Sequence, residues 1–312
     1  MSYQIALKVD VDTLRGTLEG TPALLDLFKR LGISATLLFS LGPDHTGRAM
    51  KRVFRPGFFA KVQRTSVVEH YGIRTLLYGT LLPGPDIGVH GRAVMQRARD
   101  EGHEVGIHTW DHVLWQDYVA RKDEAWTRHQ MHLAYQRFEK IFGSQPVTHG
   151  AAGWQMNEAA LQQLDDWHMR YASDGRVSGE EVGPYRVALQ NGRKLQCVQL
   201  PTTLPTFDEL IGVDDMDAMA AAKAILRSTT KPARDHVFTL HSELEGARLK
   251  PAFEALLSGW LEQGYRLGSL GDQFNKLDLG KLPWRRFGFG SIPGRSGELM
   301  LEGELLPREV PA

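Results

Sequence analysis

The chain has 312 residues, 42% of them hydrophobic and 24% charged, which is ample for a sizeable core and excludes wholesale disorder. Lysine plus arginine number 37 and aspartate plus glutamate 37, so the formal net charge is zero and a globally basic nucleic-acid binder is excluded. The single cysteine, Cys197, rules out an internal disulfide and a multi-cysteine zinc site, so any metal must rest on histidine and carboxylate.

The opening residues, MSYQIALKVDVDT, lack the basic, apolar and small-residue succession of a signal peptide. No apolar run reaches the ~18 residues of a membrane span, so a cytoplasmic protein is expected. Residues 4–9 predict a buried strand that ends in Asp10 and Asp12. Residues 22–31 predict a helix: Thr21 caps it, Pro22 opens it, Leu24, Leu25, Leu27, Phe28 and Leu31 form its apolar stripe, and Gly32 stops it. A strand at 34–41 leads into an irregular segment, 42–88. Helix 91–101, strand 103–108 and a long helix, 123–142, closed by Gly143, follow. A strand begins at Val147, helix 157–167 is capped by Asn157, and 170–173 is extended. Strand 195–200, helix 216–227, strand 236–241 and helix 251–264 complete the pattern. Beyond Asn275 the chain is rich in Gly, Pro and Arg and predicts an irregular C-terminal segment, 275–312. Alternating strand and helix imply a parallel sheet with helices outside, here an α/β fold in the form of a distorted parallel (β/α) barrel of about seven units.

In such a barrel the carboxyl ends of the strands meet on one face, so residues distant in sequence converge there. Four features fall at predicted strand ends: Asp10 with Asp12, the run His108-Thr-Trp-Asp-His112, Asp174, and His241. His108 and His112 are spaced i, i+4, which on a helical turn brings both imidazoles to one side. With Asp12 they make two histidines and one carboxylate, a donor set that suits one divalent cation with positions left for water. Zinc fits best, and cobalt, manganese, nickel and iron also fit. Asp10 shares a face with Asp12, and a free carboxylate beside a metal is a candidate general base.

In combination and in order, these motifs resemble the NodB-type polysaccharide deacetylases, over roughly residues 4 to 274. The first family motif matches Asp10-Val-Asp12, the second His108-x-x-x-His112, and the last Leu240-His241. The resemblance implies a catalytic domain over 1–274, with Asp10 as general base and Asp12, His108 and His112 as metal ligands. It also implies His241 as general acid and Asp174 as the carboxylate that orients it. Further phrases are similar to a subgroup, the 4-deoxy-4-formamido-L-arabinose-phosphoundecaprenol deformylases. These are Asp10-Val-Asp-Thr-Leu-Arg-Gly-Thr-x-Glu-Gly20, Phe39-Ser-x-Gly-Pro-Asp44, Ala152-Gly-Trp154, Leu204-Pro-Thr-x-Asp-Glu209 and His241-x-Glu-x-Glu-Gly246. That subgroup removes a formyl group from an amino sugar on undecaprenyl phosphate, in lipid A modification and polymyxin resistance. The alternatives are a deacetylase of another N-acyl amino sugar and a non-catalytic sugar- or lipid-binding relative.

Two departures stand out. The family's Arg after the fourth strand is missing, since no Arg lies between Arg137 and Arg170, which leaves the metal as the counter-charge for Asp10. The adjacent Asp-Asp of most members is here Asp-x-Asp. Around the motifs, Trp110 and Trp154 are candidate sugar-stacking walls, Arg15 a candidate phosphate contact, and Glu243 and Glu245 candidate partners of sugar hydroxyls. His45, His70, His90, His129, His132 and His149 receive no role, and Cys197 reads as inert core. Residues 45–85 carry seven basic side chains (Arg48, Lys51, Arg52, Arg55, Lys61, Arg64, Arg74) against Glu69 alone, interleaved with aromatic and aliphatic residues. This basic-aromatic insertion predicts binding to an anionic membrane surface, placing the protein peripherally on the inner face of the inner membrane.

Overall fold

The computed structural model describes residues 2–49, 72–179, 182–231, 233–295 and 297–307. Among the described residues, eleven strands make one mostly parallel sheet with helices packed outside it. One strand in from an end of the sheet order is β1 (Gln4–Val11), buried at every position. On one side β1 pairs in parallel with β2 (Thr36–Ser40), followed by β3 (Glu104–Thr109), β4 (Thr148–His149), β5 (Tyr171–Ala172) and β7 (Lys194–Gln199). On the other side lies β8 (His236–His241), and β9 (Arg266–Gly268) joins the amino-terminal end of β1. The ring is not a continuous ladder. Between β7 and β8 the carbonyl of Val237 accepts from the N–H groups of Thr203 and Leu204. The expected distorted parallel (β/α) barrel is thus present as a curved sheet that is not strictly closed.

Local sequence explains where the helices begin and end. Asp123 accepts from Trp126 N, Asn157 from Ala160 N and Asp217 from Ala220 N, each the first hydrogen bond of its helix. Gly32 and Gly143 end theirs in the left-handed conformation (φ 65° and 70°). The helix Thr21–Leu31 buries Leu24, Leu25, Leu27 and Phe28 against the sheet, as its stripe predicts.

Two regions differ from the sequence reading. The segment after Asn275 is not irregular throughout. Its strands β10 (Trp284–Gly290) and β11 (Leu299–Leu305) form an antiparallel hairpin, and β10 extends the sheet beside β6 (Tyr185–Ala188). Glycines at 288, 290 and 303 hide the strand pattern in the sequence, and pairing to the β6 edge supplies what local propensity does not. The second region is the basic-aromatic insertion. Residues 50–71, with Lys51, Arg52, Arg55, Lys61 and Arg64, lie outside the described residues. Its described part includes a short helix, Ile73–Leu77, with Ile73 and Leu81 exposed. Among the described residues no helix is long and apolar enough to cross a membrane.

The turn after β1 is held by close backbone approach. Gly16–Gly20 forms one turn of π-helix against the turn after β8, and a Cβ on Gly20 would sit 2.0 Å from the carbonyl oxygen of Ser242. Backbone cannot yield there as a flexible side chain would. Gly20→Ala is therefore expected to cost about 2–3 kcal/mol in urea unfolding, the upper range for overpacking.

Candidate active site

The parallel register brings the predicted residues to one end of the sheet. Asp10 is the direct neighbour of His241 across the β1–β8 ladder. Asp12 lies just past the end of β1, and its Oδ1 is 3.1 Å from His108 Nε2 and its Oδ2 3.3 Å from His112 Nε2. One ligand atom from each of the three falls within 4.8 Å of the others.

The two histidines do not share a helical turn, as their spacing suggested. His108 lies within β3, whereas His112 is the first residue of the helix His112–Tyr118. Between them Asp111 caps that helix by accepting from Leu114 N (3.0 Å). This cap ends the strand and turns the chain, so the imidazoles face each other with centroids 5.3 Å apart.

His108 donates from Nδ1 to the carbonyl of Gly150 (2.6 Å), which fixes the tautomer and leaves Nε2 as an acceptor. His108 Nε2, Asp12 Oδ1 and Asp10 Oδ1 are buried and have no hydrogen-bond partner. Buried acceptors left without a partner are costly unless something positive joins them, and two of these, His108 Nε2 and Asp12 Oδ1, belong to the converging cluster. The donor set, two imidazoles and a carboxylate, therefore fits a divalent cation. Electrostatics agree in sign. Burial alone would raise the Asp12 carboxyl, but His112, His108 and His241 hold it well below the usual range. Burial opposes the charged form of His108, and Asp10 and Asp12 overcome it to raise its pKa.

Lys8 is the residue the sequence reading passed over. It lies two positions before Asp10 on the same face of β1, fully buried, with Nζ 3.0 Å from Asp10 Oδ2. Its stem passes Gly150, where a Cβ would sit 2.8 Å from Lys8 Cε, and its ammonium lies 5.3 Å from the centroid of Trp154. A counter-charge of Asp10 is thus a side chain of its own strand, where the sequence reading looked to a metal. Its signal was available: a lysine in the otherwise apolar run IALKV has no reason to be there unless paired.

Asp174 does not orient His241. It accepts from His149 Nδ1 (2.6 Å) and Gln199 Nε2 (2.9 Å). The cause is topological: Asp174 follows β5, whose neighbours are β4, carrying His149, and β7, carrying Gln199. His241 is held instead through its backbone, whose N–H donates to Glu245 Oε2 (2.8 Å), and its Nδ1 is buried without a partner.

The candidate substrate residues also move. Trp154 is 2% exposed, with Lys8, Arg176 and Arg295 over its ring, so it offers no face to a sugar. Arg295 comes from the loop of the C-terminal hairpin. Trp110 packs on Gly42 and beneath Arg137, whose guanidinium is 5.1 Å from its centroid. Glu243 is buried and accepts from Asp12 N, Thr13 N and Thr13 Oγ1 at 2.7–2.9 Å, shaping the turn that presents Asp12. Burial, and then the like charge of Asp12, push its carboxyl up to about 8. Glu245 is likewise buried, which raises its carboxyl. Arg15 stays partly exposed and pairs with Glu19 (2.8 Å). Cys197 is buried, which raises its thiol and suits inert core.

Comparison with known proteins gives the family. The polysaccharide deacetylase family profile matches residues 4–172, and the chain belongs to that family. It is a hydrolase acting on amide carbon–nitrogen bonds. It is 36% identical over 254 residues (81% of this chain, 80% of the relative) to a Shewanella sediminis protein named as the 4-deoxy-4-formamido-L-arabinose-phosphoundecaprenol deformylase ArnD. A Wigglesworthia glossinidia brevipalpis protein of the same name is 29% identical over 292 residues, covering 93% of this chain and 99% of its own. Among solved structures, a Mycobacterium smegmatis protein described as a polysaccharide deacetylase superposes with a TM-score of 0.62 at 16% identity, over 93% of this chain and 95% of its own.

Replacing Lys8 by Met is expected to leave Asp10 buried without its partner. Stability should fall by about 3 kcal/mol, the low end for breaking a buried pair. Turnover should fall at least about tenfold, as for the loss of a supporting contact within a site. Urea unfolding and steady-state kinetics of the K8M protein check both.

Proposed function

We propose that the chain is a metal-dependent deformylase that removes formate from a 4-formamido-arabinose carried on undecaprenyl phosphate. The observation that carries this reading is the pairing of Asp10 with His241 across adjacent strands, flanking the Asp12, His108 and His112 cluster. The substrate is that for which the relatives are named, supported by 36% identity over most of the chain.

A divalent cation held by Asp12, His108 and His112, most simply zinc, would polarise the formyl carbonyl and acidify an attacking water. Asp10 accepts that water's proton. Lys8 occupies its Oδ2, so Oδ1 is the oxygen left to take it. His241, next to Asp10, gives a proton to the departing amine, without which the carbon–nitrogen bond does not break. Its imidazole lies close enough to Asp12 to lower that carboxyl.

Asp10→Asn and His241→Ala should each lose at least about two orders of magnitude in rate while retaining metal, the low end of acid–base contributions. Formate release from a formamido-arabinose lipid, measured with the metal content of each variant, checks this. Near-normal turnover by metal-loaded D10N would remove the base. Acetate release from N-acetyl sugars without formate release would point to a deacetylase.

We also infer that residues 45–85 seat the enzyme on an anionic membrane, on the cytoplasmic face of the inner membrane where a lipid-linked head group can be reached. The exposed apolar side chains of Ile73 and Leu81 and the excess of basic residues support this. The protein should sediment with anionic liposomes at low salt and be released at high salt. Changing Arg52, Arg55, Lys61 and Arg64 to Glu should abolish binding.

A further inference from the structure

The two loops that bear the metal-binding residues come from different strands, and something must set their separation. Past β1, the first loop carries Asp12, then Thr13 and Leu14. Past β3, the second carries Asp111 and His112. Two consecutive residues at the root of the insertion, Asp44 and His45, reach one loop each. Asp44 Oδ2 accepts from Leu14 N (2.9 Å), while its Oδ1 accepts from Thr46 N (3.1 Å) and Thr46 Oγ1 (2.7 Å). His45 Nδ1 donates to Asp111 Oδ2 (2.5 Å). The other oxygen of Asp111 caps the helix that His112 begins.

The pair is itself built in. Asp44 is 2% exposed, and its N–H donates to the carbonyl of Pro85, closing the base of the insertion. The imidazole of His45 lies on Gly79 and Gly84, where Cβ atoms would come within 2.7 Å and 2.6 Å of its Cδ2. A ring cradled by two side-chain-free residues and tied to a buried carboxylate is not a solvated surface histidine.

We propose that Asp44 and His45 are positioning residues of the metal centre: they clamp the Asp12 loop to the His112 loop and fix the opening between their ligands. The inference rests on Asp12, His108 and His112 being the metal site. A chelating site whose ligands lie on separate segments binds tightly only if the segments are held before the metal arrives. Residues that hold ligands in this way contribute about ten- to a hundredfold in affinity.

The test is the affinity of the metal-free protein for Zn²⁺, measured by competition with a chromophoric chelator, with thermal unfolding of each apoprotein alongside. His45→Ala should bind Zn²⁺ about ten- to a hundredfold more weakly than wild type. His45→Asn, whose amide N–H can replace the Nδ1–H, should stay within about threefold. Asp44→Asn, which turns an N–H toward the donors Asp44 now accepts from, should also weaken binding at least about tenfold. Wild-type affinity in a folded H45A protein would overturn the clamp, and so would an H45N protein as weak as H45A. If H45A does not fold, D44N and H45N decide: unchanged affinity in D44N overturns the proposal. A wild-type protein that binds no Zn²⁺ would take down the metal site and this inference together. Zn²⁺ binding with the expected ratios but no formate release would overturn only the deformylase reading.

Discussion

Asp10 and Asp12 project from the end of β1 into a largely buried site, where an uncompensated charge costs several kcal/mol. Much of the surrounding architecture answers that constraint. Lys8 neutralises Asp10 from within the same strand. His108 and His112 approach Asp12 from the β3 end, and Glu243 organises the backbone that carries Asp12. Each compensating group is then held by another: Gly150 O on His108, Gly150 and Trp154 around Lys8, Asp111 at the start of the His112 helix. The chemistry that follows depends on the charges being balanced but not cancelled. One oxygen of Asp10 and one nitrogen of His108 are left without a partner.

The same pattern links the C-terminal hairpin to the centre. Arg295, in its loop, pairs with Asp208 and Glu209 and lies 4.5 Å from the centroid of Trp154, whose ring also faces Lys8. Trp154 itself sits in the left-handed region (φ 53°), a conformation that persists only where neighbours hold it. A segment that looked peripheral therefore braces the residue beside the cation of Asp10.

The sequence was informative where chemistry sits on strong local patterns. The strand–helix alternation gave the architecture, because hydrophobic stripes and caps such as Asn157 and Gly143 act within a few residues. The motifs at 10–12, 108–112 and 241 gave the convergent cluster, because parallel strands must end on one face. What the sequence did not disclose depends on which strands become neighbours. The resemblance pairs Asp174 with His241, but β5 lies beside β4, and His149 takes the carboxylate. His45 and Asp111 meet only because the root of the insertion returns to the β3 loop. Trp110 and Trp154 flank motifs in sequence, yet packing gives their faces to Gly42, Arg137 and buried cations. Lys8 was readable in principle, since a lone lysine in a buried strand asks for an acid two residues away.

The proposed chemistry stands or falls on whether Asp12, His108 and His112 together hold one divalent cation. The most direct measurement is a crystal structure of the metal-loaded protein with anomalous diffraction recorded on either side of the metal's absorption edge. A single strong peak is expected, bounded by an Asp12 carboxylate oxygen, His108 Nε2 and His112 Nε2, with His108 Nδ1 still bonded to Gly150 O. A metal-loaded crystal with no peak there, or with its peak on other residues, would contradict it.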